Sequence, residues 1–131
     1  MADSVLVVDD EGDFLKTYER LLQRRGYQVV AVGTRREALG IVQSRALSLI
    51  IADVRLPDGD GLDVVRAARA AAAPPPVIVV TGFTSAASRQ EALAAGATAY
   101  LAKPFSVSTF TALVERLATP HPDGGLRGGA A

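Results

Sequence analysis

Short apolar runs rich in valine and isoleucine recur along the chain, and longer segments with helical spacing lie between them. Strands that helices cover on both faces are apolar along their whole length. The alternation of such runs with helical segments is therefore typical of an α/β fold built around a parallel sheet. Five strands are predicted, at Ser4–Val8, Gln28–Val32, Leu47–Ala52, Val77–Thr81 and Ala99–Leu101.

Five helices are predicted from apolar spacing and from residues that start or stop helices. Gly26 provides a left-handed stop for the first helix. Thr34 begins the second and stands three residues before Glu37, which is the spacing of a capping box. The predicted helices cover Asp13–Arg25, Thr34 through Val42, Leu62–Ala70, Ser85–Ala95 and the segment after the N-cap Ser106.

Two segments carry few large apolar side chains. The fourth helix has Leu93 as its only large aliphatic anchor, so it is predicted to be the least tightly held element. Residues 120–131 are rich in glycine and proline, a composition that does not support a packed core. We expect one folded domain over residues 1–119 and a flexible tail or linker remnant after it.

Composition narrows the function classes. The chain has 131 residues, which suits one domain, and its 14 basic and 14 acidic residues leave no net field that would hold nucleic acid. It has no cysteine, so disulfides and thiolate chemistry are excluded.

No apolar run is long enough to span a bilayer, and the acidic N-terminus does not resemble a secretion signal. A cytoplasmic domain without direct nucleic-acid or membrane binding is predicted.

Charged and hydroxyl side chains follow or close four of the predicted strands. Asp9 and Asp10 follow the first strand, Asp53 the third and Lys103 the fifth, and Thr81 closes the fourth. In an open parallel sheet, ligands bind beyond the carboxyl ends of the strands. These side chains are therefore expected to converge.

Each of these residues has an ordinary structural explanation when taken alone. Asp10 could cap the following helix, and Asp53 could begin the next turn. Helix capping does not explain why two aspartates, Asp9 and Asp10, stand side by side. It also does not explain why a hydroxyl, Thr81, and a cation, Lys103, stand at the ends of two neighbouring strands. A cluster of carboxylates with one lysine supplies the ligands, nucleophile and donor of a Mg²⁺ phosphoryl-transfer site.

Four stretches carry a family resemblance: VLVVDDE, ADVRLPDGDGLDVV, the pair Thr81-Gly82 and AYLAKPF. In this order and at these intervals they resemble the receiver domains of bacterial response regulators, most of all those of the enhancer-binding transcription regulators. The resemblance covers roughly Ser4 to Ala118. It implies a flavodoxin-like, doubly wound (βα)5 domain whose five-stranded parallel sheet has the order 2-1-3-4-5.

The resemblance also implies roles for individual residues. Asp53 would be the phosphoacceptor and would become an aspartyl phosphate. Mg²⁺ would be bound directly by Asp10, Asp53 and the backbone carbonyl of Arg55, and through a water by Asp9. Lys103 would pair with the phosphoryl group.

Further roles concern the response to phosphorylation. The peptide bond from Lys103 to Pro104 would be cis, Thr81 would bind a phosphoryl oxygen, and Tyr100 would turn from an exposed to a buried rotamer. Arg55 and Phe83 would influence the access of water to the phosphoryl group. The fourth helix, fifth strand and fifth helix would form the surface that changes.

The implied partners are a sensor histidine kinase or phosphotransfer protein and a downstream output domain or target, and a phosphorylation-dependent homodimer is a further option. Such a domain catalyses only its own phosphorylation and dephosphorylation. Two alternatives stay open at this point. A Mg²⁺-dependent phosphohydrolase would use the same residue types, but about 120 structured residues leave no evident substrate pocket. A phosphate-independent interaction module would be expected to lack an acidic or lysine position, and none is lost.

Overall fold

A computed structural model describes residues 3–82 and 84–118 of the chain. Its main sheet has five parallel strands in the order β2-β1-β3-β4-β5, which confirms the predicted flavodoxin-like fold and strand order. Phe83 and the predicted tail lie outside the described residues. The strands are β1 Ser4–Val8, β2 Gln28–Val32, β3 Leu49–Asp53, β4 Val77–Thr81 and β5 Ala99–Ala102, and the helices are α1 Gly12–Gln23, α2 Arg35–Ser44, α3 Leu62–Arg69, α4 Ala86–Ala95 and α5 Val107–Leu117.

Helices cover both faces of the sheet. In β1, Val5 and Val7 point to one face and pack with α1 and α5, whereas Leu6 and Val8 point to the other and pack with α2, α3 and α4. Successive side chains of a strand point to opposite faces, so a strand buried on both faces must be apolar throughout. None of the helices in the described ranges combines the length and apolar character that a membrane span needs.

Two predicted boundaries are shifted by about two residues. The third strand was predicted at Leu47–Ala52 but runs from Leu49 to Asp53, because its pairing with β1 begins at Leu49 and its pairing with β4 extends to Asp53. Helix α1 ends at Gln23 rather than Arg25, and the chain then turns through Gly26 at φ +89°. The left-handed stop is confirmed at Gly26.

The predicted helix starts are confirmed at three positions. The side chains of Thr34, Ser85 and Ser106 each accept a hydrogen bond from the backbone N–H three residues later, at 3.2, 3.0 and 3.1 Å. Each bond satisfies one of the backbone donors that a helix leaves without an internal partner. These caps fix where α2, α4 and α5 begin.

The predicted anchor of α4 is wrong. Leu93 is 43% exposed, and the buried residue of this helix is Ala92. Since the transfer free energy scales with the apolar area buried, an alanine anchors a helix less than a leucine would. Helix α4 therefore buries less apolar surface than its sequence suggested, and it presents a large aliphatic side chain to solvent.

The loop between β3 and α3 is tied to the start of α2. It contains a short hairpin of Arg55–Leu56 and Gly59–Asp60. The Asp58 carboxylate accepts hydrogen bonds from the backbone N–H groups of Arg35 and Arg36, at 2.7 and 2.9 Å. Asp58 therefore caps α2, a helix whose N-terminus precedes it by more than twenty residues in the chain.

Replacing Asp58 with asparagine is expected to lower the urea midpoint of unfolding at pH 7. The backbone N–H groups of Arg36 and Arg35 hold the pKa of Asp58 below its usual value of 3.8. A lowered folded-state pKa gives stability that is present above the unfolded-state pKa and is lost as the pH falls through the folded-state value. The difference between parent and Asp58→Asn should therefore shrink as the pH falls below about 4, the ordinary aspartate pKa, while Asp13→Asn, at an exposed position on α1, serves as the control. A difference that stayed constant with pH would contradict this account.

Candidate functional site

The acidic residues that the sequence placed after the strands meet at one edge of the sheet. Asp9 and Asp10 directly follow β1, and Asp53 is the last residue of the adjacent strand β3. One carboxylate oxygen of each, together with one from Glu11, lies within 4.8 Å of the others. Parallel pairing brings equivalent strand ends to one edge, which is why residues more than forty positions apart converge here.

Lys103 lies at the centre of this cluster. Its Nζ is 2.7 Å from Asp9 Oδ2, 2.8 Å from Glu11 Oε1 and 2.9 Å from Asp53 Oδ2, and its side chain is only 7% exposed. The ammonium also lies 4.2 Å from the centre of the Phe14 ring, a cation–π distance. The peptide bond from Lys103 to Pro104 is cis, as predicted.

The electrostatics of the site follow from burying several charges together. Burial lowers the pKa of Lys103, but its close contacts with the carboxylates of Asp9, Glu11 and Asp53 outweigh this effect, so the net shift is upward and the side chain is an ammonium ion. Burial raises the pKa of Asp9, and its ion pair with Lys103 and its hydrogen bond from the Glu11 N–H offset this rise only in part. Asp9 therefore carries a desolvation cost that its partners do not fully offset.

Hydrogen bonds fix the orientation of both buried carboxylates. Asp53 Oδ1 accepts from the backbone N–H of Arg55 at 3.1 Å, while Oδ2 faces Lys103. Asp9 Oδ1 accepts from the backbone N–H of Glu11 at 2.9 Å. The phosphoacceptor predicted from sequence is thus held with one oxygen on the backbone of the next loop and one on a lysine.

Thr81 and Tyr100 lie along the path from this cluster toward α4. Thr81 is the last residue of β4 and is buried, and its carbonyl oxygen accepts a hydrogen bond from the Lys103 N–H at 2.9 Å. Tyr100 is half-buried in β5, and its hydroxyl is 3.0 Å from the hydroxyl of Ser88 in α4. The two residues therefore join the site and α4 through neighbouring strands.

Three residues contribute to the site although the sequence did not predict that they would. Glu11 was read only as part of a motif, yet it contributes the third carboxylate to Lys103. Phe14 and Tyr18 of α1 had no predicted role at the site, and they pack with Phe105 and Phe110 in an aromatic cluster beneath Lys103. The position of Glu11 directly after the acidic pair was a usable signal, whereas the aromatic support depends on a packing that spacing alone does not reveal.

The donor set fits a hard divalent cation. Asp9, Asp10, Glu11 and Asp53 offer carboxylate oxygens within one small volume, and Mg²⁺ is bound in proteins mainly by carboxylates, backbone carbonyls and water. Asp10 and Glu11 are exposed, so the cluster opens to solvent on one side. An ion could enter from that side without disturbing the buried pair of Asp9 and Lys103.

Comparison with known proteins gives a consistent result. Residues 5–115 match the sequence model of the family described as "Response regulator receiver domain". The photosynthetic apparatus regulatory protein RegA of Rhodobacter capsulatus is 37% identical over 108 residues, which are 82% of this chain and 59% of RegA. This chain therefore spans about three fifths of the length of that relative.

Two solved structures share the fold. A CheY-like receiver domain protein of Methanospirillum hungatei superposes with a TM-score of 0.86 at 26% identity and covers 95% of this chain and 100% of its own. The receiver domain of the sensor histidine kinase PA1611 of Pseudomonas aeruginosa, crystallised with a magnesium ion in its active-site cleft, has a TM-score of 0.81 at 28% identity over 92% of this chain and 100% of its own. With the strand order and the clustered strand-end residues, these matches make the chain a member of the receiver domains of two-component response regulators.

Proposed function

We propose that the chain is a phosphoacceptor switch of the cytoplasm. It takes a phosphoryl group onto Asp53, with Mg²⁺, from the phosphohistidine of a sensor histidine kinase or phosphotransfer protein. It then alters the surface formed by α4, β5 and α5, and this surface controls an output domain or a separate target. The chain modifies and restores only its own carboxylate, so it is no enzyme toward a separate substrate.

The observation that carries the proposal is the contact of Asp53 with Lys103. Asp53 Oδ2 is 2.9 Å from the ammonium, which is in turn held by Asp9 and Glu11. A carboxylate at the end of a central strand, fixed next to a cation, is placed to attack an electrophilic phosphorus and to have the transferred charge neutralised. This combination distinguishes a reactive aspartate from one that only caps a turn.

The chemical step is an exchange at phosphorus. An oxygen of Asp53 attacks the phosphorus, the bond from phosphorus to the donor imidazole nitrogen breaks, and the imidazole leaves with the electron pair. The product is an acyl phosphate on Asp53. Lys103 neutralises charge on the phosphoryl oxygens, and Thr81 donates its hydroxyl hydrogen to one of them.

A magnesium ion suits the same site. The ligands would be the carboxylates of Asp10 and Asp53 and the backbone carbonyl of Arg55, with Asp9 acting through a water. Bound there, the ion would neutralise phosphoryl charge and align the donor with Asp53. The Arg55 N–H already binds Asp53 Oδ1, so the loop that would supply the carbonyl is attached to the acceptor.

The output surface is inferred from α4 and its neighbours. A phosphoryl group brings nearly two negative charges, so it draws Thr81 and Lys103 toward Asp53 and strains the ends of β4 and β5. Tyr100 joins β5 to α4 through Ser88, and α4 buries little beyond Ala92. Weakly packed elements yield first, and the surface already exposes Leu93 of α4 and Val107 of α5.

The phosphoacceptor is tested by intact mass after incubation with acetyl phosphate, with and without Mg²⁺. The parent should gain about 80 Da, one phosphoryl group on a carboxylate, only with Mg²⁺. Asp53→Ala should gain nothing, whereas the control Asp13→Ala, at an exposed position on α1, should behave as the parent. If the parent gained no mass from acetyl phosphate or from a phosphohistidine donor under trapping conditions, the phosphate-independent module would replace this proposal. Turnover of phosphate esters without an adduct would favour the phosphohydrolase.

The surface is tested by amide hydrogen exchange with Mg²⁺ and beryllofluoride, a non-covalent phosphoryl mimic. Exchange should change in α4 and β5 and stay constant in α2, whose N-terminus is fixed by Asp58. Unchanged exchange across residues 84–102 would refute the proposed output surface while leaving the phosphoacceptor intact.

A further inference from the structure

Two buried polar atoms near the acidic cluster lack a hydrogen-bond partner. Within the described residues, Asp9 Oδ2 and the Tyr18 hydroxyl oxygen are the buried side-chain polar atoms for which no hydrogen bond is formed. Buried polar groups are almost always hydrogen-bonded, so each exception requires an explanation. One of these atoms is an acceptor and the other carries a donor hydrogen.

Asp9 Oδ2 depends on a single neighbour. Lys103 Nζ lies 2.7 Å away, close enough for an ion pair, although the two groups are not aligned as a hydrogen bond. The same ammonium also contacts Glu11 and Asp53. Any movement of Lys103 toward another anion would leave Asp9 Oδ2 buried without a compensating charge.

Tyr18 is buried among aromatic rings close to these carboxylates. Its side chain is 1% exposed, and its ring stacks on Phe105 at 5.9 Å and contacts Phe110 at 5.5 Å. Burial raises the pKa of Tyr18, and the negative charge of Asp9 raises it further, ahead of Asp53 and Glu11. The hydroxyl is therefore neutral and retains its hydrogen, and Asp9 is the carboxylate that affects it most.

We propose that Tyr18 is a positioning residue for the phosphorylated state, in which its hydroxyl donates a hydrogen bond to Asp9 Oδ2. This inference rests on the proposed function, because phosphorylation of Asp53 is what draws Lys103 away from Asp9. When the Lys103 ammonium moves away, the Tyr18 hydroxyl takes its place as the polar group that faces Asp9 Oδ2. In the free protein the hydroxyl is not aligned in a hydrogen bond, and in the phosphorylated protein it keeps Asp9 oriented toward the metal site.

The test compares Tyr18→Phe with the parent in the binding of beryllofluoride at fixed Mg²⁺. Phenylalanine keeps the stacked ring and removes only the hydroxyl. A hydrogen bond to a charged acceptor is worth roughly tenfold or more in an equilibrium constant, so beryllofluoride should bind about tenfold more weakly. The urea midpoint of the free protein should be unchanged or higher, because the variant loses a buried hydroxyl without a partner.

An NMR signal distinguishes a hydrogen-bonding role of the Tyr18 hydroxyl from a packing role of its ring. In protein labelled with ¹³Cζ-tyrosine, the Tyr18 resonance of the parent should shift when Mg²⁺ and beryllofluoride are added, since this carbon responds to hydrogen bonding of its hydroxyl. The matched control is Tyr27→Phe, which removes a hydroxyl that donates to the carbonyl of Ala118 at 3.2 Å. That variant should bind beryllofluoride as the parent does.

Two outcomes would overturn the inference, and they differ in what they imply. Equal beryllofluoride affinity in Tyr18→Phe and parent, with no shift of the Tyr18 resonance, would make Tyr18 a core aromatic only and leave the proposed function intact. Failure of the parent itself to bind beryllofluoride with Mg²⁺ would overturn the proposed function and this inference together.

Discussion

Replacing Gly61 with alanine is expected to lower the free energy of unfolding by about 2 kcal/mol or more and to reduce phosphorylation of Asp53 sharply. A Cβ atom at Gly61 would lie 1.8 Å from the carbonyl oxygen of Asp53 and 3.1 Å from the Cα of Val54. No side-chain rotation relieves an overlap with backbone, so the loop or the strand end must move, and overpacking of this kind typically costs about 1–3 kcal/mol or more. The backbone angles of Gly61, φ −63° and ψ −19°, suit any residue, so the requirement for glycine comes from this close approach alone.

The measurements are urea unfolding and intact mass after incubation with acetyl phosphate and Mg²⁺. Gly40→Ala is the matched control, because nothing lies within 4 Å of a Cβ atom at this position in α2. Alanine is the better helix former, so this control should gain roughly 0.5–1 kcal/mol and be phosphorylated normally. A Gly61→Ala variant with the stability and mass gain of the parent would show that the loop can shift without cost and would contradict the prediction.

Replacing Lys103 with methionine is expected to lower the unfolding free energy by about 2 kcal/mol in the absence of Mg²⁺. The substitution keeps most of the apolar stem and removes the ammonium shared by Asp9, Glu11 and Asp53. Removing one partner of a fully buried ion pair costs roughly 3–5 kcal/mol, and the cost here is smaller because Glu11 is largely exposed. Asp9 is fully buried and accounts for most of the loss.

Magnesium should then stabilise Lys103→Met more than it stabilises the parent. Without the ammonium, the carboxylates repel one another and bind a divalent cation without competition, and a ligand that binds only the folded state raises the unfolding free energy. The measurement is the urea midpoint across a MgCl₂ titration, with Lys16→Met on the exposed side of α1 as the control. Equal magnesium dependence in Lys103→Met and parent would remove the acidic cluster from consideration as the cation site.

Much of the fold could be predicted from sequence because its signals are local. The apolar runs of β1 and β4 were placed at their observed boundaries, and the caps at Thr34 and Ser106 mark helix starts that the structure contains. A strand covered on both faces has no alternative to continuous apolar sequence, and a cap satisfies donors within four residues. The third strand begins two residues and ends one residue later than predicted, because its ends depend on pairing with β1 and β4.

The candidate site, like the fold, was predictable from sequence only in part. The sequence determined which residue types stand at the strand ends, so Asp9, Asp10, Asp53 and Lys103 could be grouped from the rule that parallel strands share one functional edge. Only the tertiary structure decided that Glu11 also binds Lys103, that Asp58 caps a helix far from it in sequence and that Leu93 faces solvent. These outcomes depend on distances between elements, and neither periodicity nor propensity encodes those distances. The sequence by itself therefore determined the order of the helices and strands and the types of side chain at the strand ends. Packing between these elements decided which charged side chains pair, because residues distant in sequence compete for the same few contacts at the site.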